Sequence, residues 1–200
     1  GTSQMRGKVV IPVLFLASLR LGWADIVYYF AAPWGNWNYA SANWNPNGNP
    51  FRTDTVGDGD TVNIAAGQTV IFNHLVSSWD ADHAGASVLN NAGVLVVGEP
   101  TYTDRIVLRV DTALNNTGVI QIGHTGNTGQ VWLDVGNTVI NGPGVINLNG
   151  PANLLTGGGT VSIFGQTIQG VGTVGYYPDM GWGAFSSINL DPASVITSPA

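Results

Sequence analysis

The sequence predicts an all-β protein that coils into a right-handed parallel β-helix (a solenoid) with an aromatic-rich N-terminal cap. Three observations lead to this fold class. The chain contains 28 Gly in 200 residues and is only 9% charged, which favours short strands joined by tight turns. Glycine-led apolar runs recur at a nearly constant interval. Within each run, apolar and polar residues alternate as in a strand with one buried face.

The interval between the runs indicates a solenoid. Gly67, Gly93, Gly118 and Gly144 each begin an apolar run, and their separations are 26, 25 and 26 residues. One turn of such a repeat cannot bury its apolar side alone, but stacked turns share a continuous core. Glycine also supplies the positive φ values expected at the corners. A meander sandwich is the competing fold, although its strands would recur about every 8–12 residues.

Alternation within the runs identifies core side chains. The second and fourth residues after each glycine are apolar, and the residue between them is often polar. We expect these positions to point inward and to stack in columns. In the run after Gly67, Thr69 takes the first inward position. The predicted core residues are Leu95, Val97, Ile120, Ile122, Ile146, Leu148, Val161 and Ile163.

Three asparagines follow the same interval. Asn91, Asn116 and Asn141 lie 25 residues apart, each just before a glycine-led run. Stacked asparagines can form a ladder of side-chain hydrogen bonds along a cross-β stack. The alternative is that they are ordinary turn residues, since asparagine is common in turns.

The N-terminal segment has the three-part pattern of a secretory signal peptide. A basic start at Arg6 and Lys8 precedes the apolar run 9–19, and Gly22 and Ala24 supply the small residues of a cleavage site. The predicted division is 1–24 as tag remnant and signal peptide, 25–60 as N-terminal cap segment, and 61–200 as rungs, with truncation at the C-terminus left open.

Charge narrows the choice of partners. Cleavage after Ala24 leaves three basic residues against all twelve acidic ones, a formal charge of −9. Such a chain is unsuited to nucleic acid, which recruits basic surfaces. With no Cys there is no disulfide framework or thiolate metal site. We expect no cofactor, and no membrane span in the mature chain, because no later segment is apolar enough.

Aromatic residues crowd the predicted cap segment. Trp34, Trp37 and Trp44 lie there among Asn, Gly and Pro. Large aromatic side chains can seal the first turn of a solenoid, whose strand edge would otherwise be exposed. These tryptophans are also the candidate ligand-binding residues, because an indole face can stack on a sugar ring.

The run WGNWNYASANWNPNGNP from Trp34 to Pro50, followed by GDTVNIAAGQTV from Gly59 to Val70, resembles the opening of bacterial autotransporter-passenger and surface β-helix proteins. The later runs INGPGVINLNG and TIQGVGTVG look like the low-complexity rungs of that class, and the likeness covers most of residues 34–190. It implies an adhesin-like protein of the outer membrane or cell surface in a Gram-negative bacterium. The chain lacks the C-terminal translocator barrel and sorting tail of complete members.

The sequence contains only weak candidates for a metal site. The weak metal candidates are Asp58, Asp60, Asp80 and Asp82, but hard cations need more gathered oxygen ligands. Asp60 is equally well explained as a turn or capping carboxylate.

A polysaccharide-cleaving enzyme would need carboxylates facing each other across a groove. Asp104, Asp111 and Asp134 have suitable spacing, and His124 lies in a Gly-His-Thr-Gly stretch. However, Arg105 and Arg109 can simply pair with Asp104 and Asp111.

No set of residues is therefore predicted as catalytic. The favoured hypothesis is an exported structural or adhesive β-helix whose partner is a host or environmental glycan, or a surface protein. The alternative is a polysaccharide-binding or polysaccharide-degrading β-helix.

Overall fold

The computed structural model describes residues 26–37, 43–46, 60–73, 85–98, 105–124, 129–135, 138–157, 159–175 and 185–198. These residues form an all-β solenoid with parallel stacking, as the sequence predicts. The strands are β1 Val27–Phe30, β2 Trp34–Asn36, β3 Trp44–Asn45, β4 Thr61–Ile64, β5 Thr69–Phe72, β6 Gly85–Asn91, β7 Val94–Val97, β8 Ile106–Asn116, β9 Val119–Ile122, β10 Val131–Val135, β11 Val139–Asn141, β12 Val145–Thr156, β13 Gly159–Phe164, β14 Thr167–Val174, β15 Phe185–Leu190 and β16 Val195–Thr197.

Parallel pairing groups the strands into three sheets. The first sheet stacks β1, β4, β6, β8, β11, β13 and β15. The second stacks β2, β5, β7, β9, β12, β14 and β16. The third joins the N-terminal ends of β6 and β8 to β10 and the C-terminal ends of β12 and β14. Long strands such as β8 and β12 therefore bend at a corner and contribute to two sheets.

The core consists of aligned apolar columns. Leu95 is in register with Ile120, and Ile120 with Ile146, which confirms the predicted stacking. Val70 precedes this column and Ile168 continues it. Parallel strands stack about 4.8 Å apart, so these side chains lie in direct contact. All the predicted core residues are buried.

One predicted core position is wrong. Thr69 pairs with Val94 and is only half-buried, whereas Val70 and Phe72 point inward. The residue equivalent to Gly93 is therefore Gln68 and not Gly67, so the repeat here is one residue shorter than the glycine spacing indicates. Because side chains alternate between the two faces of a strand, a shift of one residue exchanges inside for outside.

Glycines at the corner between the first and second sheets are required by space. A Cβ on Gly118 would lie 2.1 Å from the carbonyl oxygen of Gly93, and one on Gly144 would lie within 2.5 Å of backbone oxygen. Positive φ angles occur instead at Gly98 and Gly123, at 95° and 76°, where the runs end. The predicted positive φ thus holds at these run ends and also at Gly67, whose φ is 81°. Close stacking explains the glycines that begin the later runs, Gly118 and Gly144.

The predicted cap segment also contributes strands to the solenoid. β1 and β2 pair in parallel with β4 and β5, so coiling begins before residue 60. β3 then pairs with β1 in the antiparallel direction. This pairing covers the edge of the first sheet that a further parallel strand would otherwise extend.

An aromatic cluster fills the interior of this end. The rings of Phe30 and Trp37 contact that of Trp44 edge to face at centroid distances of 5.0 and 5.1 Å, and Trp37 contacts Phe72 at 5.5 Å. The Trp44 Nε1–H group donates a hydrogen bond of 3.0 Å to the carbonyl oxygen of Trp37. Buried indole groups need such a partner. The cluster therefore closes the core as predicted.

The predicted asparagine ladder forms, but with one different member. Asn91 Nδ2 donates to Asn116 Oδ1 at 2.8 Å inside the core. Asn116 Nδ2 then donates to Gln166 Oε1 at 2.9 Å, and Gln166 Nε2 donates to the carbonyl oxygens of Asn116 and Asn141. The Asn141 side chain is exposed and in register with Asn115. An extra residue in this turn therefore rotates Asn141 outward, and Gln166 takes its place.

A second ladder runs along the outer surface of the first sheet. Asn90 Nδ2 donates to Asn63 Oδ1 at 2.8 Å, and Asn115 Nδ2 donates to Asn90 Oδ1 at 2.8 Å. Asn63 Nδ2 ends the ladder on the Tyr28 carbonyl oxygen. Because these bonds follow the same axis as the backbone ladder, they reinforce the register between successive rungs, each rung being one turn of the solenoid.

We expect Gly118→Ala to lower the free energy of unfolding by about 3 kcal/mol, because its Cβ would overlap the Gly93 carbonyl and force the stacked turns apart. Gly67→Ala is the matched control. Gly67 has a positive φ of 81° but open space around it, so only backbone strain of about 1 kcal/mol applies. Urea unfolding followed by circular dichroism measures both. Equal losses would contradict the close-stacking explanation.

We expect Asn116→Ala to lower the free energy of unfolding by about 2–3 kcal/mol, because Gln166 Oε1 loses its donor in a buried site. Asn115→Ala, one residue away on the outer ladder, removes a hydrogen bond in a part-buried position and should cost less than about 1 kcal/mol. The same urea experiment compares the two variants. A greater loss for Asn115→Ala would show that the inner ladder is dispensable.

Candidate functional site

The outer surface of the third sheet gathers the most varied chemistry among the described residues. Alternation directs the side chains of Arg109 on β8, and of Trp132 and Asp134 on β10, away from the core. Asp134 is in register with Arg109. Residues 106–110 of β8 belong to the third sheet. Arg105 directly precedes this segment and Asp111 directly follows it. These five residues are named the third-sheet face.

Trp132 is the aromatic element of the third-sheet face. The Arg105 guanidinium lies 5.0 Å from its ring centroid, within the range of a cation–π contact. Val107 and Leu154 are level with Trp132 on the neighbouring strands, and both are buried. Burial lowers the pKa of Arg105 from its usual value, but the group stays charged at neutral pH because arginine does not deprotonate in proteins. The indole is thus held in one orientation from several sides.

Arg109 and Asp111 form an ion pair on the same strand. The distance from Arg109 Nε to Asp111 Oδ1 is 2.6 Å, and 27% of the arginine side chain remains exposed. This confirms the pairing expected from the sequence. A guanidinium has five N–H donors in a planar fork, and the contact with Asp111 uses only the one on Nε. The remaining donors are suited to a carboxylate or another oxyanion.

The charge of the third-sheet face differs from that of the whole chain. Arg105 and Arg109 are the two Lys or Arg residues within the described ranges, and both lie here. The complete chain has a formal charge of −6. Because Asp111 and Asp134 lie on the same face, its formal charge is zero, so it repels an anionic ligand less than the acidic remainder of the chain does.

The structure separates the three tryptophans predicted to bind ligand. Trp37 and Trp44 are buried in the aromatic cluster, so neither offers a face on which a sugar could stack. The predicted three-tryptophan platform is corrected to this extent. Trp34, on the outer side of β2, is 62% exposed and can contact a ligand.

Among the metal candidates, Asp60 has a structural position. It is buried, and its Oδ1 accepts a hydrogen bond of 3.0 Å from the Ile26 backbone N–H. This contact connects the first two rungs and agrees with the capping alternative. Asp58, Asp80 and Asp82 lie outside the described residues. Within the described ranges, no group of three or more His, Cys, Asp or Glu side chains could hold a metal ion.

The carboxylates considered for hydrolysis are only partly brought together. Asp111 and Asp134 both lie on the third-sheet face, while His124 follows β9 in the second sheet. Asp104 lies outside the described residues. Trp132 was not predicted as a site residue, although its position between two apolar residues in VWLDV indicates that it points outward.

No protein-family model matches the chain, and neither a curated protein nor a solved structure matches it significantly. Across the described ranges, the structure also contains no helix of sufficient length and apolarity to cross a bilayer.

Proposed function

We propose that this protein is an exported, non-catalytic adhesive β-solenoid that binds acidic glycans through the third-sheet face. One observation carries the proposal. Arg105 lies over the Trp132 ring, and Arg109 on the adjacent strand β8 pairs with Asp111, in a chain of formal charge −6. A carboxylate can bind the arginine fork through two parallel hydrogen bonds. The apolar face of a sugar can pack against an aromatic ring.

The spacing of these groups favours a polymer. Arg109 and Trp132 lie on adjacent strands and two positions apart along the strand direction. At about 4.8 Å between strands and 3.3 Å per residue, their Cα atoms are about 8 Å apart. A ligand that uses both groups must extend across two rungs. Glycans with repeated carboxylates meet this requirement.

The Arg109–Asp111 pair supports binding over catalysis. Glycoside hydrolysis needs one carboxyl group that donates a proton and a second carboxylate that attacks the sugar or activates water. Asp111 Oδ1 lies 2.6 Å from Arg109 Nε, so its carboxylate is engaged in an ion pair. Asp134 is in register with the same arginine and brings a second carboxyl group to the third-sheet face. Because two carboxyl groups are what glycoside hydrolysis requires, a polysaccharide-degrading protein is the second candidate.

Export to the cell surface is part of the proposal. The segment of residues 1–24 has a signal-peptide pattern, and the strand and turn pattern resembles that of bacterial surface β-helix proteins. Asn- and Thr-rich outer surfaces without Lys within the described ranges are compatible with a protein outside the cell.

We expect the purified chain to bind polygalacturonate in calorimetric titrations, with an affinity that falls as salt is raised because the contact is ionic. Arg109→Met should weaken binding about tenfold or more, since a charge-assisted pair is lost. Gln121→Met, on the outer surface of the second sheet, is the control and should leave the affinity unchanged. Fully methyl-esterified polygalacturonate tests the requirement for carboxylate, and unchanged binding to it would refute the proposed recognition.

Release of reducing ends during the same titration, abolished by Asp134→Ala, would instead establish the degrading enzyme. Urea unfolding of Arg109→Met checks that a change in binding is not a loss of fold. The pair is partly buried, but methionine retains the apolar stem of the arginine, which keeps the packing contacts, so this variant should remain folded.

We expect export to produce a mature chain that begins at Asp25. Expression of the full sequence in a Gram-negative host, followed by mass spectrometry of periplasmic and envelope fractions, measures the N-terminus. A chain that retains residues 1–24 in the cytosol would contradict the signal-peptide interpretation.

A further inference from the structure

The outer surface of the second sheet differs in chemistry from the third-sheet face. Two columns of side chains point outward along this sheet, one level with Val94 and the other level with Val96. On the seven described strands, the first column contains only Trp, Thr and Val, and the second contains only Asn, Ile, Val, Gln and Thr. These two columns are named the second-sheet face. On these strands it carries no charged side chain, in a chain of formal charge −6.

The middle of the second-sheet face is a stiff surface. Val94, Val96 and Val119 point outward and are partly buried by their neighbours, and β-branched side chains have few χ1 rotamers. The backbone ladder fixes the distance between their strands at about 4.8 Å. A ligand that packs on this surface therefore loses little free energy to the ordering of protein side chains.

The first column includes an exposed aromatic ring. Trp34 is in register with Thr69, points outward from β2 and is 62% exposed. The column thus places an indole in line with a row of Thr and Val side chains that carry methyl groups. Such a row is suited to the apolar face of a ring-shaped ligand.

The second column brings amide groups to three successive strands of this sheet, at Gln121 on β9, Asn147 on β12 and Gln169 on β14. Gln169 Nε2 donates a hydrogen bond of 2.9 Å to Asn147 Oδ1 at an exposed position. An amide group has two N–H donors and a carbonyl oxygen that accepts two bonds, so this contact uses a small part of their capacity. Hydroxyl groups, which donate and accept, are suitable partners.

The shape of the second-sheet face favours a linear ligand. The two columns are two residues apart along each strand, or about 7 Å, whereas the described strands extend the face over about 29 Å along the solenoid axis. A folded partner needs a contact of about 800 Å² on each side, which a surface two side chains wide suits poorly. A polymer that lies along the axis fits these dimensions.

We infer that the second-sheet face binds an uncharged, β-linked polysaccharide whose chain lies along the solenoid axis. Such a chain is a flat ribbon with apolar ring faces and hydroxyl groups along its edges. The ring faces pack on Trp34 and the valines of the first column, and the hydroxyl groups of one edge bond to the amides of the second. A carboxylate would lose its water there without gaining a charged partner, which is costly. This site is separate from the third-sheet face and does not depend on the acidic-glycan site proposed there.

Co-sedimentation of the full chain with microcrystalline cellulose, an uncharged β-linked glucan, tests this inference. We expect saturable depletion from the supernatant that changes little with salt, because the contact is not ionic. Val119→Asp should weaken binding about tenfold or more, since it places an unpaired charge under the ligand. Val88→Asp is the matched control. Val88 is also partly buried and points outward, but from the first sheet, so this variant should bind as the unchanged chain does.

A second variant does not place a charge in the sheet. Trp34 is exposed, so Trp34→Ala should stay folded, and loss of the stacked ring should weaken binding to cellulose about fivefold. Arg109→Met alters the third-sheet face and should leave cellulose binding unchanged, which separates the two sites. Absence of sedimentation with cellulose, equal losses in Val88→Asp and Val119→Asp, or unchanged binding by Trp34→Ala would each overturn the inference. So would a dimer in analytical ultracentrifugation that Val119→Asp alone disrupts, because a second copy would then occupy this face.

Discussion

The parallel backbone ladder between successive rungs is the constraint on which the rest of the structure depends. It places equivalent residues of neighbouring strands about 4.8 Å apart, so each side chain meets its counterparts above and below. Apolar positions such as Leu95, Ile120 and Ile146 then become a continuous column. The same spacing leaves no room for a Cβ at Gly118, which lies against the Gly93 carbonyl oxygen of the preceding turn. The apolar columns, the glycines at the corners and the side-chain ladders all follow from the constant distance between rungs.

Stacking also determines how polar groups can be buried. An isolated buried amide is costly, but Asn91 Nδ2 donates to Asn116 Oδ1 along the axis of the stack. Where the turn gains a residue and Asn141 rotates outward, Gln166 extends across the missing layer to reach Asn116 and the intervening carbonyl groups. A longer side chain thus preserves the network despite a change in repeat length. In the first rung the aromatic cluster, in place of a ladder, fills the interior.

The third-sheet face shows how a repetitive scaffold can carry a specific surface. Inward positions must fit the column and are nearly uniform, whereas outward positions are free to differ from rung to rung. Arg109, Trp132 and Asp134 occupy such outward positions on two adjacent strands. Because their backbones are tied by the ladder, their relative placement changes little when a ligand binds.

The sequence predicts the all-β class, the solenoid period and the apolar inward residues. Alternation within each run and recurrence of the runs can both be read along the chain, without knowing which rungs are neighbours. The sequence also indicated the Arg109–Asp111 pair, which lies within one strand. Three features became visible only in the folded chain. Trp37 is buried whereas Trp34 is exposed. Gln166 replaces Asn141 in the inner ladder, and Arg105 lies over Trp132. Each of these depends on which residues of different rungs are level with one another. A single residue added to or removed from a turn changes that register and reverses the side to which a side chain points.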